Sequence, residues 1–158
     1  MFYLCDGDII PGEGIGLFKL DMSREDVENI INVKGYKLDK GKLYNIYDCG
    51  DVEIWFDGDR IYQISVFGDF KGKLLGELGI GSYLADIEKK LNAVSIDNVY
   101  VEVFDEMKGI CFELSEEEHD EADLYEGEVY FRWRKSNLPI ARISVYPAEE
   151  HVIIQQGE

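Results

Sequence analysis

Two pairs of matched segments constrain the fold of this 158-residue chain more than any other feature. Arg60-Ile-Tyr-Gln-Ile-Ser-Val-Phe67 and Pro139-Ile-Ala-Arg-Ile-Ser-Val-Tyr146 share an isoleucine, an Ile-Ser-Val and a closing aromatic at equivalent places. Upstream, Leu20-Asp-Met-Ser-Arg-Glu-Asp-Val-Glu-Asn-Ile-Ile31 parallels Ile80-Gly-Ser-Tyr-Leu-Ala-Asp-Ile-Glu-Lys-Lys-Leu91. The first pair aligns at an offset of 79 (Ile64 with Ile143) and the second at 60 (Asp26 with Asp86). The second copy therefore carries nineteen additional residues before its closing strand.

Each copy reads as one helix followed by an antiparallel meander. Ser23 is a natural N-cap with Asp26 three residues on, and Val27, Ile30 and Ile31 then form an i, i+3, i+4 stripe. Ser82 is the expected cap of the second helix, with Leu84, Ile87 and Leu91 facing inward and Lys89 and Lys90 outward. Residues 43–47 and 51–56 alternate as strands do, and Asp57-Gly58 offers a hairpin turn into 61–67. In the second copy, strands are expected over 99–104, 109–114, 128–134 and 140–146. The fold class is thus α+β: two tandem helix-plus-antiparallel-meander repeats, with the helices packed on one face of a largely antiparallel sheet. The repeats run over about 11–70 and 72–147 within a single domain of 1–158, a length that suits one core.

The inserted residues hold the second notable feature. Between Glu113 and Glu128 stand nine carboxylates in sixteen residues, with no lysine or arginine. Such a block self-repels and belongs in a loop or hairpin tip, where it suits a positively charged partner. The whole chain has 33 acids against 16 bases, a formal charge of −17. That balance repels nucleic acid and anionic membranes and attracts basic proteins. With 46% apolar residues and ten tyrosines, there is material for a packed interior.

Chemistry-bearing motifs are sparse. Cys5, Cys49 and Cys111 are scattered and odd in number, which gives neither a disulfide framework nor a zinc spacing. Neither His119 in the acidic run nor His151 in the tail accompanies a nucleophile motif, so no catalytic residue is expected. Asp120, Asp123 and Glu126, like Asp57 and Asp59, are oxygen ligands without a calcium-loop spacing, so no metal site is expected either. The glycines of Gly12-Glu-Gly-Ile-Gly16 and of residues 72–81 precede the helices but match no phosphate-loop pattern, and read as bends. Trp55, Tyr62, Tyr130 and Trp133 fall on strands and suit cross-strand packing. Tyr125 is different: a large aromatic in so polar a run suits a partner contact. No stretch approaches eighteen apolar residues and the N-terminal residues lack a signal-peptide pattern, which places the expected location in the cytoplasm.

The repeated helix and meander, carried by Leu20-Asp-Met-Ser-Arg-Glu-Asp-Val27 and by Ile-x-x-Ile-Ser-Val-[Phe/Tyr], resembles the architecture of the β-lactamase inhibitor protein and of a small outer-membrane assembly lipoprotein. The segment from Asp8 to Ser23 and the segment from Leu78 to Glu88 are similar to cytoplasmic immunity proteins of bacterial polymorphic toxin systems. This resemblance implies a short, acidic, non-catalytic protein that binds a basic toxin domain, often a nuclease. The expected function is therefore neutralisation of such a domain by covering its substrate site, with no cofactor. The expected contact residues are Glu116, Glu117, Glu118, Asp120, Glu121, Asp123 and Glu126, with Tyr125 as the packing anchor. The alternatives are an acidic inhibitor or adaptor of another cytoplasmic protein, a small hydrolase, or a calcium-binding module.

Overall fold

The computed structural model describes residues 6–39, 45–91, 94–97, 100–103, 108–115 and 139–148. They form an α+β fold dominated by antiparallel sheet. A small three-stranded sheet comprises β1 (Ile9–Ile10), β2 (Gly14–Ile15) and β3 (Phe18–Lys19). Helix α1 (Arg24–Lys34) follows, then β4 (Ile46–Cys49), β5 (Val52–Asp57) and β6 (Arg60–Phe67). Helix α2 (Leu84–Lys90) leads to β7 (Val94–Asp97), β8 (Tyr100–Val103), β9 (Ile110–Leu114) and β10 (Ile140–Val145). The seven later strands make one sheet in the order β4-β5-β6-β10-β9-β8-β7, in which every pairing is antiparallel.

The helices form where capping and apolar periodicity agree. Ser23 Oγ accepts the Asp26 N–H at 3.1 Å, as expected of the cap, and Gly35 closes α1 in the left-handed conformation at φ 71°. Val27 and Ile31 are buried and Ile30 packs partly against the core, whereas Val33 is 83% exposed. For α2 the expected cap is displaced by one residue. Tyr83 occupies the N-cap and its N–H donates to Asp86 Oδ2 at 2.8 Å, while Ser82 Oγ accepts the Gly79 N–H at 3.1 Å. The short hydroxyl reaches back into the turn before the helix, a local bond that competes with capping. Leu84, Ile87 and Leu91 are buried and Lys89 and Lys90 exposed, as the periodicity predicts.

One apolar cluster unites the layers. Val27 and Ile31 of α1 and Leu84 and Ile87 of α2 share it with Ile54, Ile64, Phe112 and Ile143 from four strands of the sheet. Alternation explains the membership: Val52 and Ile54 stand opposite Val66 and Ile64, which in turn stand opposite Ile143 and Val145, so one face is apolar across β5, β6 and β10. The helices cover that face. The central register is β6 against β10, with Ser65 directly opposite Ser144.

Backbone hydrogen bonds tie each helix's lead-in to the strand that closes the following meander. Asp21 N donates to Ile61 O and Ile61 N to Met22 O, both at 2.9 Å. Gly81 N donates to Ile140 O at 2.9 Å and Ile140 N to Ser82 O at 2.6 Å. The small sheet is locked by close backbone approach. Gly109, at φ 83°, has Gly12 and the Tyr146 carbonyl within 2.6 Å of where a Cβ would lie. Its carbonyl accepts from both Gly12 N and Tyr146 N, so the turn before β9 staples β10 to the loop after β1.

The expected strands at 51–56, 61–67, 99–104, 109–114 and 140–146 correspond to β5, β6, β8, β9 and β10, and the expected 43–47 is shifted to β4. The expected strand at 128–134 lies outside the described residues. The three short strands near the N-terminus and β7 were not foreseen, because two-residue and four-residue strands carry too few alternations to register.

Candidate binding surface

All the contact residues proposed from sequence, Glu116, Glu117, Glu118, Asp120, Glu121, Asp123, Tyr125 and Glu126, lie outside the described residues, as do His119, Tyr130, Trp133 and His151. The base of that segment is described. Leu114 pairs with Ile140, and Ser115 N donates to Pro139 O at 2.8 Å. The described end of β9 and the described start of β10 therefore lie side by side. The β5–β6 hairpin is closed by two residues after Asp57, with Gly58 at φ 63°.

The face turned away from the helices mixes polar and aromatic side chains on β5, β6 and β10, and it carries the best-defined side-chain constellation. Glu53 on β5 projects there and accepts two bonds at Oε1, from Trp55 Nε1 at 2.7 Å and from Arg142 on β10 at 3.0 Å. The guanidinium lies 5.0 Å from the centre of the Phe67 ring on the intervening strand β6. Arginine suits this position because its planar head stacks on an aromatic while donating in its own plane. The ion pair is partly solvated, its side chains 24% and 18% exposed, so its net worth is modest, on the order of 1 kcal/mol.

Further along this face, Ser65 Oγ lies 2.8 Å from Ser144 Oγ, and Gln63 Nε2 donates to Ser65 Oγ at 3.3 Å. All three residues are buried. Cys111 and Tyr146 form a small apolar cluster beside them, and the Tyr146 hydroxyl donates to the Ile110 carbonyl. At the sheet's edge, Asp48 on β4 stands directly opposite Glu53. Burial raises the Asp48 carboxyl above the ordinary carboxylate range, Glu53 and Asp39 raise it further, and Arg142 opposes them. On the helix side, burial pushes the Cys49 thiol up to about 11.

The Asp57-Gly58-Asp59 turn, considered above as a source of oxygen ligands, is instead a docking point for α1. Asp59 O accepts Arg24 N at 3.0 Å and Gly58 O accepts Arg24 Nε at 3.1 Å, while the guanidinium sits 4.3 Å from the Phe56 ring centre. Among the described residues no group of three or more His, Cys, Asp or Glu side chains is placed to hold a metal ion. No described helix is long and apolar enough to cross a membrane.

Sequence reasoning missed Glu53, Asp48 and Arg142. Strand alternation places Glu53 and Trp55 on one face, which was the available signal. The partner Arg142 is 89 positions away, and its meeting with Glu53 depends on strand order.

The chain matches no protein-family model, and no curated protein matches it. Among solved structures it is similar to the crystal structure of the uncharacterized protein yfeY from Escherichia coli. The match has a TM-score of 0.58 at 18% identity and covers 87% of this chain and 98% of that one. Likeness at that identity establishes a shared fold.

Proposed function

We propose that this chain is a non-catalytic, acidic binding protein of the immunity type, which neutralises a basic toxin domain of the nuclease class by covering its substrate site. The observation that carries the proposal is the charge distribution: −17 overall, with nine carboxylates and no base between Glu113 and Glu128. Such a field steers a basic partner and raises association toward on the order of 10⁸ M⁻¹s⁻¹ at low salt. Glu116, Glu117, Glu118, Asp120, Glu121, Asp123 and Glu126 supply the field, and Tyr125 supplies a packing contact. The geometry at the base of the segment supports this use. Ser115 and Pro139, the described residues on either side of the acidic run, are hydrogen-bonded to one another where β9 and β10 pair, so the run is anchored at its base to the main sheet.

We also infer that the scaffold is a duplication of one helix-plus-meander unit. Its support is the equivalence of hydrogen bonds. Asp21, Met22 and Ile61 bond as Gly81, Ser82 and Ile140 do, at the same offsets of 60 and 79 that align the sequence. Ser23 bridges Arg60 as Tyr83 bridges Pro139. Ser65 faces Ser144, its own counterpart at offset 79, across the central pairing. On this reading the acidic run is an insertion in the second unit at the place where the first makes its tight turn.

The test is co-expression with the product of the adjacent upstream gene, followed by affinity purification at low and then moderate salt and titration of the partner's activity. Stoichiometric recovery of a basic domain whose activity falls linearly to zero at one equivalent is the expected result. A basic neighbour that co-elutes at neither salt and keeps its activity in excess of this protein refutes the proposal.

A further inference from the structure

The attachment of the edge strand β4 carries an unbalanced charge. Asp48 and Glu53 are directly opposed across β4 and β5, and like charges so placed repel. A cation is near, but it is committed. Arg142 pairs with Glu53 Oε1 and stacks on Phe67, and the Trp55 indole donates to the same oxygen. Asp48 Oδ1 has no exposure to solvent and no hydrogen bond to any described residue. On the other flank, Asp39 bonds the β4 backbone twice, its N–H donating to Asp48 O at 2.8 Å and its carbonyl accepting Asp48 N at 2.7 Å. That bridge brings a third carboxylate close to Asp48. The charged groups facing Asp48 are therefore Asp39 from the segment before β4, Glu53 from β5 and Arg142 from β10. Arg142 is paired with Glu53 and not with Asp48.

An ionised carboxylate is only an acceptor, so the buried Oδ1 of Asp48 has nothing to accept from in that state. A protonated carboxyl is a donor, and the facing Glu53, whose bonds to described residues all fall on Oε1, has a second oxygen to receive it. We propose that Asp48 keeps a proton in the folded state and turns it toward Glu53 across the sheet edge, making the attachment of β4 sensitive to pH: closed when Asp48 is protonated and loosened when it is ionised. The raised affinity of Asp48 for a proton, caused first by burial and then by Glu53 and Asp39, agrees in direction with this geometry.

The sign follows from linkage. A carboxyl that holds its proton more tightly in the folded state binds more protons there than in the unfolded chain, so ionisation favours opening as pH rises through that interval. Each unit of difference in proton affinity corresponds to about a tenfold change in the opening constant.

The experiment combines two readouts on the full chain. Side-chain carboxyl carbon shifts would be followed by NMR from pH 3 to 8 in the wild-type protein and in Glu53→Gln. Urea midpoints would be measured over the same range for the wild type and for Asp48→Asn. The expected result is an Asp48 titration in the wild type that lies above the ordinary carboxylate range and moves down in Glu53→Gln. With it, the midpoint of Asp48→Asn relative to wild type should rise with pH through the interval in which the Asp48 resonance titrates. An Asp48 resonance that titrates in one ordinary step, unaltered by Glu53→Gln, overturns the proposal even if Asp48→Asn fails to fold. A midpoint difference that stays constant with pH overturns it equally.

Discussion

Replacing Ser144 by alanine takes one hydroxyl from a buried pair at the centre of the sheet. The two oxygens lie 2.8 Å apart on residues that are 0% and 4% exposed, and Gln63 contributes a further bond to Ser65. Whichever serine remains after a single substitution has lost the neighbour with which it shared a proton. A buried hydroxyl left short of a partner costs ~1–3 kcal/mol. Ser144→Ala and Ser65→Ala should therefore each destabilise by about 1–2 kcal/mol, Ser65→Ala the more because it also removes the acceptor of the Gln63 bond. The double variant replaces the pair by an apolar contact between facing strands, and its loss should fall short of the sum of the singles by roughly 1 kcal/mol. Urea unfolding with unchanged m-values is the assay, since a constant slope keeps the free energies comparable. If the singles add in the double to within ~0.3–0.5 kcal/mol, the hydroxyls are not coupled and the reasoning fails.

Three other outcomes follow from the same structure. Ile64 and Ile143 are both fully buried, so Ile64→Ala and Ile143→Ala should each cost ~2–5 kcal/mol, and a loss well under 1 kcal/mol at both would contradict their place in the core. Cys49, whose thiol is pushed up from 9.0 to about 11, should resist alkylation in the folded protein at pH 8 and react on unfolding. Because the unfolded thiol ionises first, stability should fall as pH rises past about 9; rapid native-state labelling at pH 8 would show the thiol to be accessible. Reversing Glu116, Glu117 and Glu118 to lysine should leave circular dichroism unchanged and slow association with the basic partner at low salt. Equal association rates by stopped flow would remove the acidic run from the encounter.

The helices were legible because their signals are local. Ser23, Val27 and Ile31 lie within nine residues and need nothing from the rest of the chain to declare a capped amphipathic turn. The hairpin at Asp57-Gly58 was legible for the same reason. Ser82 misled because hydroxyl and backbone are in competition before a helix, and the winner, a bond from Gly79, depends on how the preceding turn lies. The strands β1 to β3 escaped notice because each is two residues long, too short to show an alternation.

The sequence by itself determined the α+β class, the capped helix α1, the alternating strands and the acid-rich field, since each is written in neighbouring residues and in net charge. Tertiary structure alone decided that Glu53 meets Arg142, that Ser65 meets Ser144, and that Asp48 has its buried Oδ1 without a partner among the described residues. Those outcomes follow from strand order and register, which place residues 79 or 89 positions apart side by side. Local chemistry fixes which face a side chain takes, but only the closing of β10 onto β6 fixes what that face touches.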